Sequence, residues 1–261
     1  MALSFRHQSI LDVARNIGRV AVDDLAERLA VTPQTIRRDL NDLCDQGQLT
    51  RVHGGAILES GVTNVAYDAR RLLAADEKEI IGRLCAEQIP DNASIFINIG
   101  TTTEAVARAL QNRRDLMVIT NNLNVANILA SNPHCDVVVT GGMLRRSDGG
   151  LVGESTVDTV EQFRTDYAVI GASAIDEDGS ILDFDYREVR VAQAIIKNAR
   201  KTFLVADSSK LARSAPVRIG HMSEIDHFFT DEITSEELRK ACDQHGVDVS
   251  TTETKPGSEH A

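Results

Sequence analysis

Several common signatures are missing from this sequence of 261 residues, and each absence excludes a class of protein. The cysteines, Cys44, Cys85, Cys135 and Cys242, are scattered and form no CxxC pair, which favours small, reduced, buried residues and disfavours a zinc site. No apolar run is long enough to cross a membrane, and the N-terminus has no signal-peptide pattern. We therefore expect a cytoplasmic protein.

Signatures of catalysis are also scarce. The sequence has neither a P-loop nor a GxGxxG fingerprint, so ATP and dinucleotides are disfavoured as ligands. It offers no convincing nucleophile–base pair or acid–base group, and His134, in a predicted loop, has no evident partner. The sequence therefore predicts a protein without catalytic residues or a cofactor.

The most informative segment that is present is TPQTIRRDLNDL, residues 32–43. Pro33 suits the first turn of a helix, and Thr32 before it is a good N-cap. Apolar residues then recur at helical spacing, which leaves the polar side chains on the opposite face. The outward residues are Gln34, Thr35, Arg37, Arg38 and Asn41. Forked guanidiniums and amides on a short helix suit the reading of base edges in a major groove, although a solvated surface helix is the commoner role of such a pattern.

The flanking segments complete a DNA-binding domain. Residues 10–18 and 22–29 have the apolar spacing of amphipathic helices, and a tight turn at 30–32 joins the second of them to the helix that follows, as in a helix-turn-helix. Residues 48–57 suit two strands and a turn, a wing that would bring Arg51 and His53 near phosphates or the minor groove. Residues 1–58 are therefore predicted to be a winged helix-turn-helix domain that binds double-stranded DNA.

The charge distribution predicts an oligomer. The net charge is −11, but residues 1–58 balance seven arginines, without a lysine, against seven acidic residues. The rest of the chain holds 21 basic and 32 acidic residues. A neutral DNA-binding head implies modest non-specific DNA affinity, so tight binding would need several heads held together in a homo-oligomer, a dimer or a tetramer.

Residues 59–76 are predicted to be a linker, either a hinge helix or a passive connection, and residues 77–252 the body of the protein. From Ser94 short apolar strands alternate with helical segments, which predicts an α/β domain with a parallel sheet covered by helices. The strands are predicted at 94–99, 116–120, 136–140, 167–170, 202–206 and 227–230. The polar tail, residues 253–261, is predicted to be disordered.

Polar residues follow each of the first five predicted strands, at the edge where open α/β sheets bind ligands. The best phosphate candidate is GTTT at 100–103, because it opens a helix whose amide groups and dipole favour an anion, although a routine helix cap explains it equally well. The NN at 121–122 also suits a turn and an N-cap, and the GG at 141–142 a tight turn. Lys210 is favoured as a phosphate or sugar contact.

Charged residues near this edge allow more than one interpretation. Asp183, Asp185 and Glu188 could bind a divalent cation or accept hydrogen bonds from sugar hydroxyls, but the ligand spacing of a metal site is missing, so no metal is predicted. Glu188 could equally pair with a surface arginine. DEDG at 176–179 predicts a solvated hairpin turn. RR at 145–146 is predicted to be a solvated pair, with an approach to the ligand as the alternative.

Motifs in both halves of the chain resemble those of the DeoR family of bacterial transcriptional regulators. VTPQTIRRDLNDL is followed at the family's spacing by RVHGGAIL, and IGTT, TNN, GG and ADSSK follow in the body. The resemblance implies a body with a fold similar to ribose-5-phosphate isomerase and CoA-transferase subunits, which binds a sugar phosphate or a related phosphorylated metabolite. In the head it implies DNA contacts by Thr32, Gln34, Thr35, Arg37 and Arg38. In the body it implies phosphate binding by Gly100, Thr101 and Thr102, with further effector contacts from Asn121, Asn122, Gly141, Gly142, Glu188 and Lys210.

Three further segments, at 120–127, 148–154 and 183–190, resemble the branch of the family that represses glycerol-3-phosphate genes. Two residues depart from the family pattern, because Asn98 stands where Asp is more common and Ala192 where Lys is common. The hypothesis is a repressor of glycerol and glycerol-3-phosphate catabolic genes that glycerol-3-phosphate releases from its operator. The alternatives are a repressor of another sugar-phosphate operon, such as one for fructose or deoxyribose, and a phosphosugar isomerase or acyl-CoA transferase with a DNA-binding head.

Overall fold

The structure is a computed structural model that describes residues 5–17, 19–46, 48–52, 54–57, 64, 66–211 and 213–252. The chain divides into two compact units between Leu73 and Ala74, a point inside the predicted linker. His53 and the predicted tail lie outside the described residues. Each unit is described by itself.

Three helices form the core of the N-terminal unit. They are α1 (Phe5–Ile17), α2 (Val22–Arg28) and α3 (Pro33–Asp45). Between α2 and α3, Ala30 takes the left-handed backbone conformation with a φ of 51°, which turns the chain tightly. The helices pack together because their apolar residues recur three and four positions apart. The buried core includes Ile10, Leu11, Ala14, Val22, Leu25, Ile36, Leu40 and Leu43. The predicted helix-turn-helix is confirmed.

The predicted wing is also present, and an unpredicted strand extends it. Strands β1 (Arg19–Ala21), β2 (Thr50–Val52) and β3 (Gly55–Ile57) pair antiparallel in the order β1-β3-β2. A Cβ at Gly55 would lie 2.0 Å from the carbonyl oxygen of Val20 in β1, so this position requires glycine. Since β1 has only three residues, apolar periodicity could not reveal it.

Two separate helices span the join between the units in sequence. They are α4 (Tyr67–Leu72) and α5 (Ala75–Glu87), whereas the sequence predicted helical character through Tyr67–Ala75 and again from Glu77. Ala74 interrupts the helix with a left-handed φ of 52°. Nothing in the residue type signals this break, because alanine is a strong helix former.

The strands of the C-terminal unit build three sheets. The strands are β4 (Ser94–Ile97), β5 (Leu116–Thr120), β6 (Cys135–Val139), β7 (Met143–Arg145), β8 (Gly150–Val152), β9 (Thr165–Ile170), β10 (Ala174–Ile175), β11 (Ser180–Asp183), β12 (Ala199–Val205), β13 (Val217–His221), β14 (His227–Thr230) and β15 (Asp248–Thr251). Seven of them form a parallel sheet in the order β15-β14-β12-β9-β4-β5-β6. All six predicted strands belong to it, and β15 is an unpredicted addition at one edge. Because the chain runs outward from β4 through β5 to β6 and then returns to β9 beside β4, the topological switch point lies between β4 and β9.

Helices cover both faces of this sheet. After α5 they are α6 (Thr101–Ala109), α7 (Leu123–Leu129), α8 (Glu154–Val160), α9 (Tyr186–Lys197) and α10 (Glu236–His245). Side chains that alternate along a strand enter different cores. In β4, Phe96 packs in one apolar cluster with Val189 of α9, whereas Ile95 and Ile97 pack in the other with Val106 of α6. The expected layered α/β architecture is confirmed.

The smaller sheets lie outside the main one. Strands β7 and β8 form a hairpin, and β10, β11 and β13 form an antiparallel sheet. The predicted turn at 176–179 joins β10 to β11, with Gly179 at a φ of 87° and its N–H donating to the Asp176 carbonyl oxygen.

The cysteines and the apolar character of the helices were both subjects of sequence-based expectations. Cys85 and Cys242 are buried as expected, while Cys44 and Cys135 are only partly buried, and these four cysteines are free thiols. Among the described helices, none has the length and apolar character needed to cross a membrane.

Candidate functional site

Helix α3 presents a polar face to solvent. Ile36, Leu40 and Leu43 point into the core of the N-terminal unit, and the opposite side exposes Gln34 and Arg38. Thr32, Arg37 and Asn41 are exposed with them, and Thr35 is partly buried. The predicted reading residues therefore share one accessible surface.

The first turn of α3 is capped by the residue that the sequence indicated. The Thr32 hydroxyl accepts a hydrogen bond from the Thr35 N–H at 3.3 Å, and the two threonine hydroxyls lie 2.9 Å apart. Pro33 occupies the first helical position. Thr32 and Thr35 therefore shape the start of the helix in addition to lying on its outward side.

Sequence reasoning missed an ionic contact that orients α3. Asp39 is buried, and its carboxylate accepts hydrogen bonds from the Arg6 guanidinium at 2.9 Å and from His7 at 3.3 Å, both on α1. The hydrogen bond from Arg6 lowers the pKa of the Asp39 carboxyl despite burial. Arg6 and His7 line the same groove as Gln34 and Arg38. The spacing of 33 positions between Arg6 and Asp39 leaves no local signal for this pair.

Of the two wing residues predicted to contact DNA, one lies in the part of the chain that the structure describes. Arg51 lies on β2 and is exposed, as expected of a phosphate contact. The other residue predicted there, His53, lies outside the described residues.

In the C-terminal unit the predicted effector residues other than Glu188, which lies on α9, belong to polar groups that follow adjacent strands at one sheet edge. From one side to the other, these groups are Thr140–Gly142 after β6, Asn121–Asn122 after β5, Gly100–Thr102 after β4, residues 171–173 after β9 and Asp207–Lys210 after β12. With strands ~4.8 Å apart, the groups after β6 and β12 are separated by about 19 Å. One small ligand therefore cannot touch every group through the strand ends alone.

The start of α6 has the features that favour an anion. Gly100 precedes the helix, and no side chain of a described residue caps it. Thr101 and Thr102 are buried in the first turn, where amide groups and the helix dipole favour an anion. Thr103 differs, because its hydroxyl lies 2.7 Å from the Asn98 carbonyl oxygen and 2.8 Å from that of Gly100 and donates to them.

Four buried polar atoms at this edge have no hydrogen-bond partner among the described residues. They are Asn98 Oδ1, Asn121 Oδ1, Thr140 Oγ1 and Asp207 Oδ2, which follow β4, β5, β6 and β12. Leaving a buried polar group unpaired is costly, so such groups normally meet a ligand or water. Their concentration at one edge indicates a site for a ligand that carries hydroxyl groups.

Two predicted effector groups already have partners in the protein. Asn122 caps α7 by accepting from the Asn124 N–H at 2.9 Å, and it donates to Glu104 at 3.3 Å. Its interpretation as a turn and N-cap is therefore confirmed. Gly141 is exposed, and its carbonyl accepts a hydrogen bond from Thr156 at 2.7 Å.

Strand β12 ends near two buried lysines. Lys210 and Lys78 are both buried, and Lys78 Nζ lies 3.9 Å from Asp207 Oδ2. Burial opposes the ionisation of Asp207, but the charges of Lys210 and Lys78 outweigh it and lower the pKa of the carboxyl. Lys78 belongs to α5, far from the other site residues in sequence, and sequence reasoning missed it.

A second charged cluster surrounds Arg145, and here the expectation of a solvated pair at 145–146 is wrong. Arg146 is exposed, but the Arg145 guanidinium is largely enclosed and bridges three carboxylates. It lies 2.7 Å from Asp148, 3.1 Å from Asp185 and 2.6 Å from Glu188. The hairpin β7-β8 brings Arg145 to the N-terminus of α9, which the local sequence could not show.

The carboxyls of this cluster differ in acidity. Burial, reinforced by the Asp183 carboxylate, raises the pKa of Glu188 to about 8 against the opposing charge of Arg145. Burial alone would also raise the pKa of Asp185, but hydrogen bonds from Arg187 and Arg145 outweigh it and lower that pKa to about 2. Glu188 still contacts an arginine, Arg145, at 2.6 Å, as one interpretation of the sequence held. No group of His, Cys, Asp and Glu among the described residues has the arrangement of a metal site.

Ala192 and Asn98, the two departures from the family pattern, lie in different environments. Ala192 is buried in the apolar core beside the sheet. Asn98 follows β4 and carries one of the unpartnered oxygens. Of the two departures, only Asn98 changes the chemistry of the candidate pocket.

Comparison with known proteins accounts for both units. Residues 6–61 match the DeoR-like helix-turn-helix domain, and residues 73–232 match the DeoR C terminal sensor domain. The chain also has a loose likeness to ribose 5-phosphate isomerase A from Methanocaldococcus jannaschii, with a TM-score of 0.40 and 16% identity over 53% of this chain and 55% of that chain.

Curated relatives cover most of the chain. The glycerol-3-phosphate regulon repressor of Escherichia coli (strain K12) is 48% identical over 226 residues, 87% of this chain and 90% of the relative. The repressor of the same name from Haemophilus influenzae is 46% identical over 233 residues, 89% and 91% of the two chains. The HTH-type transcriptional repressor CsqR of Escherichia coli (strain K12) is 41% identical over 244 residues, 94% of each chain. Because these relatives are repressors and not enzymes, the enzyme alternative is set aside, and the chain belongs to the DeoR family of transcriptional regulators.

Proposed function

We propose that this DeoR-family repressor controls glycerol and glycerol-3-phosphate catabolic genes and leaves its operator when glycerol-3-phosphate binds. Similarity to two glycerol-3-phosphate regulon repressors supports the choice of genes. The observation that carries the effector class is the row of four buried polar atoms without hydrogen-bond partners among the described residues, beside the uncapped start of α6. A phosphate with hydroxyl groups complements both features.

Helix α3 reads the operator bases in this proposal. Arg37 and Arg38 can each donate two hydrogen bonds to a guanine, and Gln34 can pair in the same bidentate way with an adenine. Arg51 on the wing provides a phosphate contact, which positions the head without reading sequence. The contact between Asp39 and Arg6 holds the reading helix against α1, so the helix presents these side chains in one orientation.

The effector occupies the middle of the sheet edge in this proposal. Its phosphate lies on Gly100, Thr101 and Thr102, because the helix start supplies unpaired amide groups there. Its hydroxyls meet Asn98 and Asn121, which follow neighbouring strands and carry unpartnered oxygens. An amide at position 98 also adds no negative charge beside the phosphate.

The outer groups of the edge have supporting roles. Lys210 lies with Lys78 around Asp207 and contributes positive charge on one side of the phosphate. Gly141 and Gly142 flank the pocket on the other side, about 19 Å from Lys210 by strand spacing, which a three-carbon phosphate is too short to span. Glu188 acts through Arg145, whose guanidinium lies 2.6 Å from its carboxyl group.

Induction follows from linkage between the two sites. Without effector, paired heads occupy operator half-sites and block transcription. Effector binding favours an arrangement whose heads fit the operator less well, and operator DNA must then weaken effector binding by the same factor. The neutral charge of the head supports a homo-oligomer, since one head alone has little non-specific affinity to contribute.

The test is a titration of the protein–operator complex. The DNA is taken from upstream of the glycerol catabolic genes of the same genome, and glycerol-3-phosphate is compared with glycerol, fructose 1-phosphate and inorganic phosphate. Release by glycerol-3-phosphate alone supports both the genes and the effector. Release by another phosphosugar would keep a phosphosugar-responsive repressor and discard glycerol-3-phosphate.

A further inference from the structure

We propose that β6 is a dimerisation surface, at which a second copy of this chain adds its own β6 antiparallel to the first. The register places Val137 of one copy opposite Val137 of the other. The inference rests on the proposed function in one respect, since operator binding by a neutral head calls for at least two heads.

The backbone of β6 has an open side. The Leu116 N–H donates to the His134 carbonyl at 3.1 Å, and the Thr140 N–H donates to the Thr120 carbonyl at 3.0 Å. In a parallel ladder the residues that bond to the neighbouring strand alternate, so residues 134, 136, 138 and 140 face β5. Val137 and Val139 therefore direct their N–H and C=O groups away from the sheet. Among the described strands, β6 is the last on this side.

The side chains of this edge are apolar and lack the usual protection. Exposed edge strands in monomers normally carry lysine, proline or a bulge that blocks further pairing. β6 reads CDVVV and pairs with β5 in continuous register. Val139, Met143 and Leu144 are 41%, 55% and 49% exposed within six residues of chain, which makes an accessible apolar surface at the end of this strand.

The opposite edge of the same sheet has a different character. β15 reads DVST, so polar side chains dominate it. The Ser250 hydroxyl is also within hydrogen-bond distance of His227, at 2.9 Å, on the neighbouring strand. The apolar, unprotected edge is thus specific to β6, and the sheet offers one suitable side for pairing.

A second copy fits this edge because the strand is complementary to itself. Antiparallel pairing of a strand with its own copy is two-fold symmetric, which is the symmetry of most homodimers and of palindromic operators. With Val137 at the axis, the single charged residue, Asp136, lies opposite Val138 of the other copy. All residues of the strand are paired, and no like charges face each other.

The arrangement also brings the dimer contact next to the proposed effector pocket. Thr140, whose hydroxyl has no partner among the described residues, directly follows β6. Thr140 therefore lies one strand from Asn121, which contacts the effector in the proposed function. Effector binding and the geometry of the dimer are in this way connected through neighbouring strands.

A disulfide test measures the register directly in the full-length protein. Opposed residues in a hydrogen-bonded antiparallel pair have Cα atoms about 5.5 Å apart, within the range of a disulfide. Val137→Cys should form a covalent dimer under mild oxidation, seen on a non-reducing gel. Met117→Cys is the control, because Met117 is 42% exposed, more than the partly buried Val137, but lies one strand inward. Its distance to its own copy is at least about 14 Å, so it should stay uncrosslinked, as should the wild-type cysteines.

A second pair of variants tests the surface without a crosslink. Val139→Lys, at a partly exposed site, should raise the dimer dissociation constant at least about tenfold, as measured by sedimentation, because an edge lysine opposes pairing. Met117→Lys adds the same charge away from the edge and should leave dimerisation unchanged. Circular dichroism checks that both variants are folded.

The outcomes separate this inference from the proposed function. A covalent dimer of Val137→Cys, together with weakened association of Val139→Lys, supports the β6 interface. A wild-type monomer, crosslinking at Val138→Cys instead, or dimerisation that Val139→Lys leaves unchanged would overturn it. The response of wild-type protein to glycerol-3-phosphate on operator DNA is measured independently, so failure there counts against the proposed function alone.

Discussion

Three consecutive threonines open α6, and their hydroxyls have different partners. The Thr103 hydroxyl donates to backbone carbonyls of the preceding turn and holds the end of β4 against the helix. Thr101 and Thr102 are buried in the same first turn, where the free amide groups of the helix start favour an anion. One residue type thus supplies both the support of the turn and the proposed ligand contact.

This difference separates two variants of similar shape. Thr101→Val should leave the free energy of unfolding and operator affinity nearly unchanged, while release from the operator should need at least about tenfold more glycerol-3-phosphate, a loss of ~1.4 kcal/mol in binding. Thr103→Val should instead lower the free energy of unfolding by about 1–3 kcal/mol, because buried carbonyl groups lose their donor. Urea unfolding and operator-release titrations measure the two effects. Equal behaviour of the two variants would contradict the assignment.

The reading helix makes a prediction about Arg38. Replacing this exposed arginine by alanine should weaken operator binding by about 1–3 kcal/mol and relax specificity at one base pair, with the unfolding midpoint unchanged. Arg200→Ala is the control, since it removes an exposed arginine at the other end of β12 from the effector edge. An equal loss of affinity in both variants would show a general charge effect instead of base reading. Fluorescence anisotropy with operator DNA and with mutated operator DNA measures the affinity of each variant.

The raised pKa of Glu188 predicts a pH dependence of stability. Its value of about 8 lies above the 4.5 of an ordinary glutamate because burial and Asp183 disfavour the charge. The folded protein therefore holds a proton that the unfolded chain releases, so this contribution to stability is complete below pH 4.5 and is lost as pH rises toward 8. Glu188→Gln should abolish this loss of stability with rising pH, because glutamine does not ionise.

The measurement compares urea midpoints at low and high pH. The stability of Glu188→Gln relative to wild type should increase between about pH 5 and about pH 8. Glu236→Gln, which alters a glutamate exposed over 85% of its side chain, serves as the control and should show no such trend. A pH-independent difference for Glu188→Gln would be evidence against the shift.

At the scale of elements, the turn from β6 to β7 depends on one of its two glycines. A Cβ at Gly142 would lie 2.0 Å from the Thr156 hydroxyl, and the φ of 130° is unfavourable for other residues. A Cβ at Gly141 would meet nothing within 4 Å. The pair therefore forms a turn in which the second position is sterically required.

Alanine substitutions distinguish the two positions. Gly142→Ala should lower the free energy of unfolding by about 1–3 kcal/mol, as overpacking does, and Gly141→Ala by no more than about 0.5 kcal/mol. Thermal unfolding followed by circular dichroism gives both values. The prediction fails if the two variants are equally stable.

At the scale of the whole molecule, charge and connectivity govern how the units act together. The N-terminal head is neutral and the body carries the full −11, so the body adds repulsion from DNA and the heads supply the attraction. Affinity for an operator then depends on how many heads bind at once.

Linkage between the effector site and the DNA-binding head predicts that each ligand weakens the binding of the other equally. If glycerol-3-phosphate lowers operator affinity by some factor, saturating operator DNA must lower glycerol-3-phosphate affinity by that same factor, typically about 5–150-fold. Isothermal titration of the effector into free and operator-bound protein measures the ratio. An effector that binds both forms equally well is incompatible with the proposed induction.

How much could be predicted from sequence depended on how far apart the interacting residues are. The helix-turn-helix, the cap at Thr32 and the wing were predicted because apolar spacing, capping and glycine signals act over a few residues. The parallel strands and the polar groups after them followed from the same local patterns. The three-residue strand β1 and the break at Ala74 were not predictable, since one is too short for periodicity and the other occurs at a helix-forming residue.

The sequence by itself determined the two-unit plan, the outward face of α3 and the row of polar residues at the sheet edge, because these follow from the period of helices and strands. The tertiary structure alone decided which of those residues are already occupied. It pairs Arg145 with Glu188, Arg6 with Asp39 and Lys78 with Asp207 across long stretches of chain. Ion pairs form between whichever charges the packing of apolar faces brings together, and no local pattern of residues encodes that proximity.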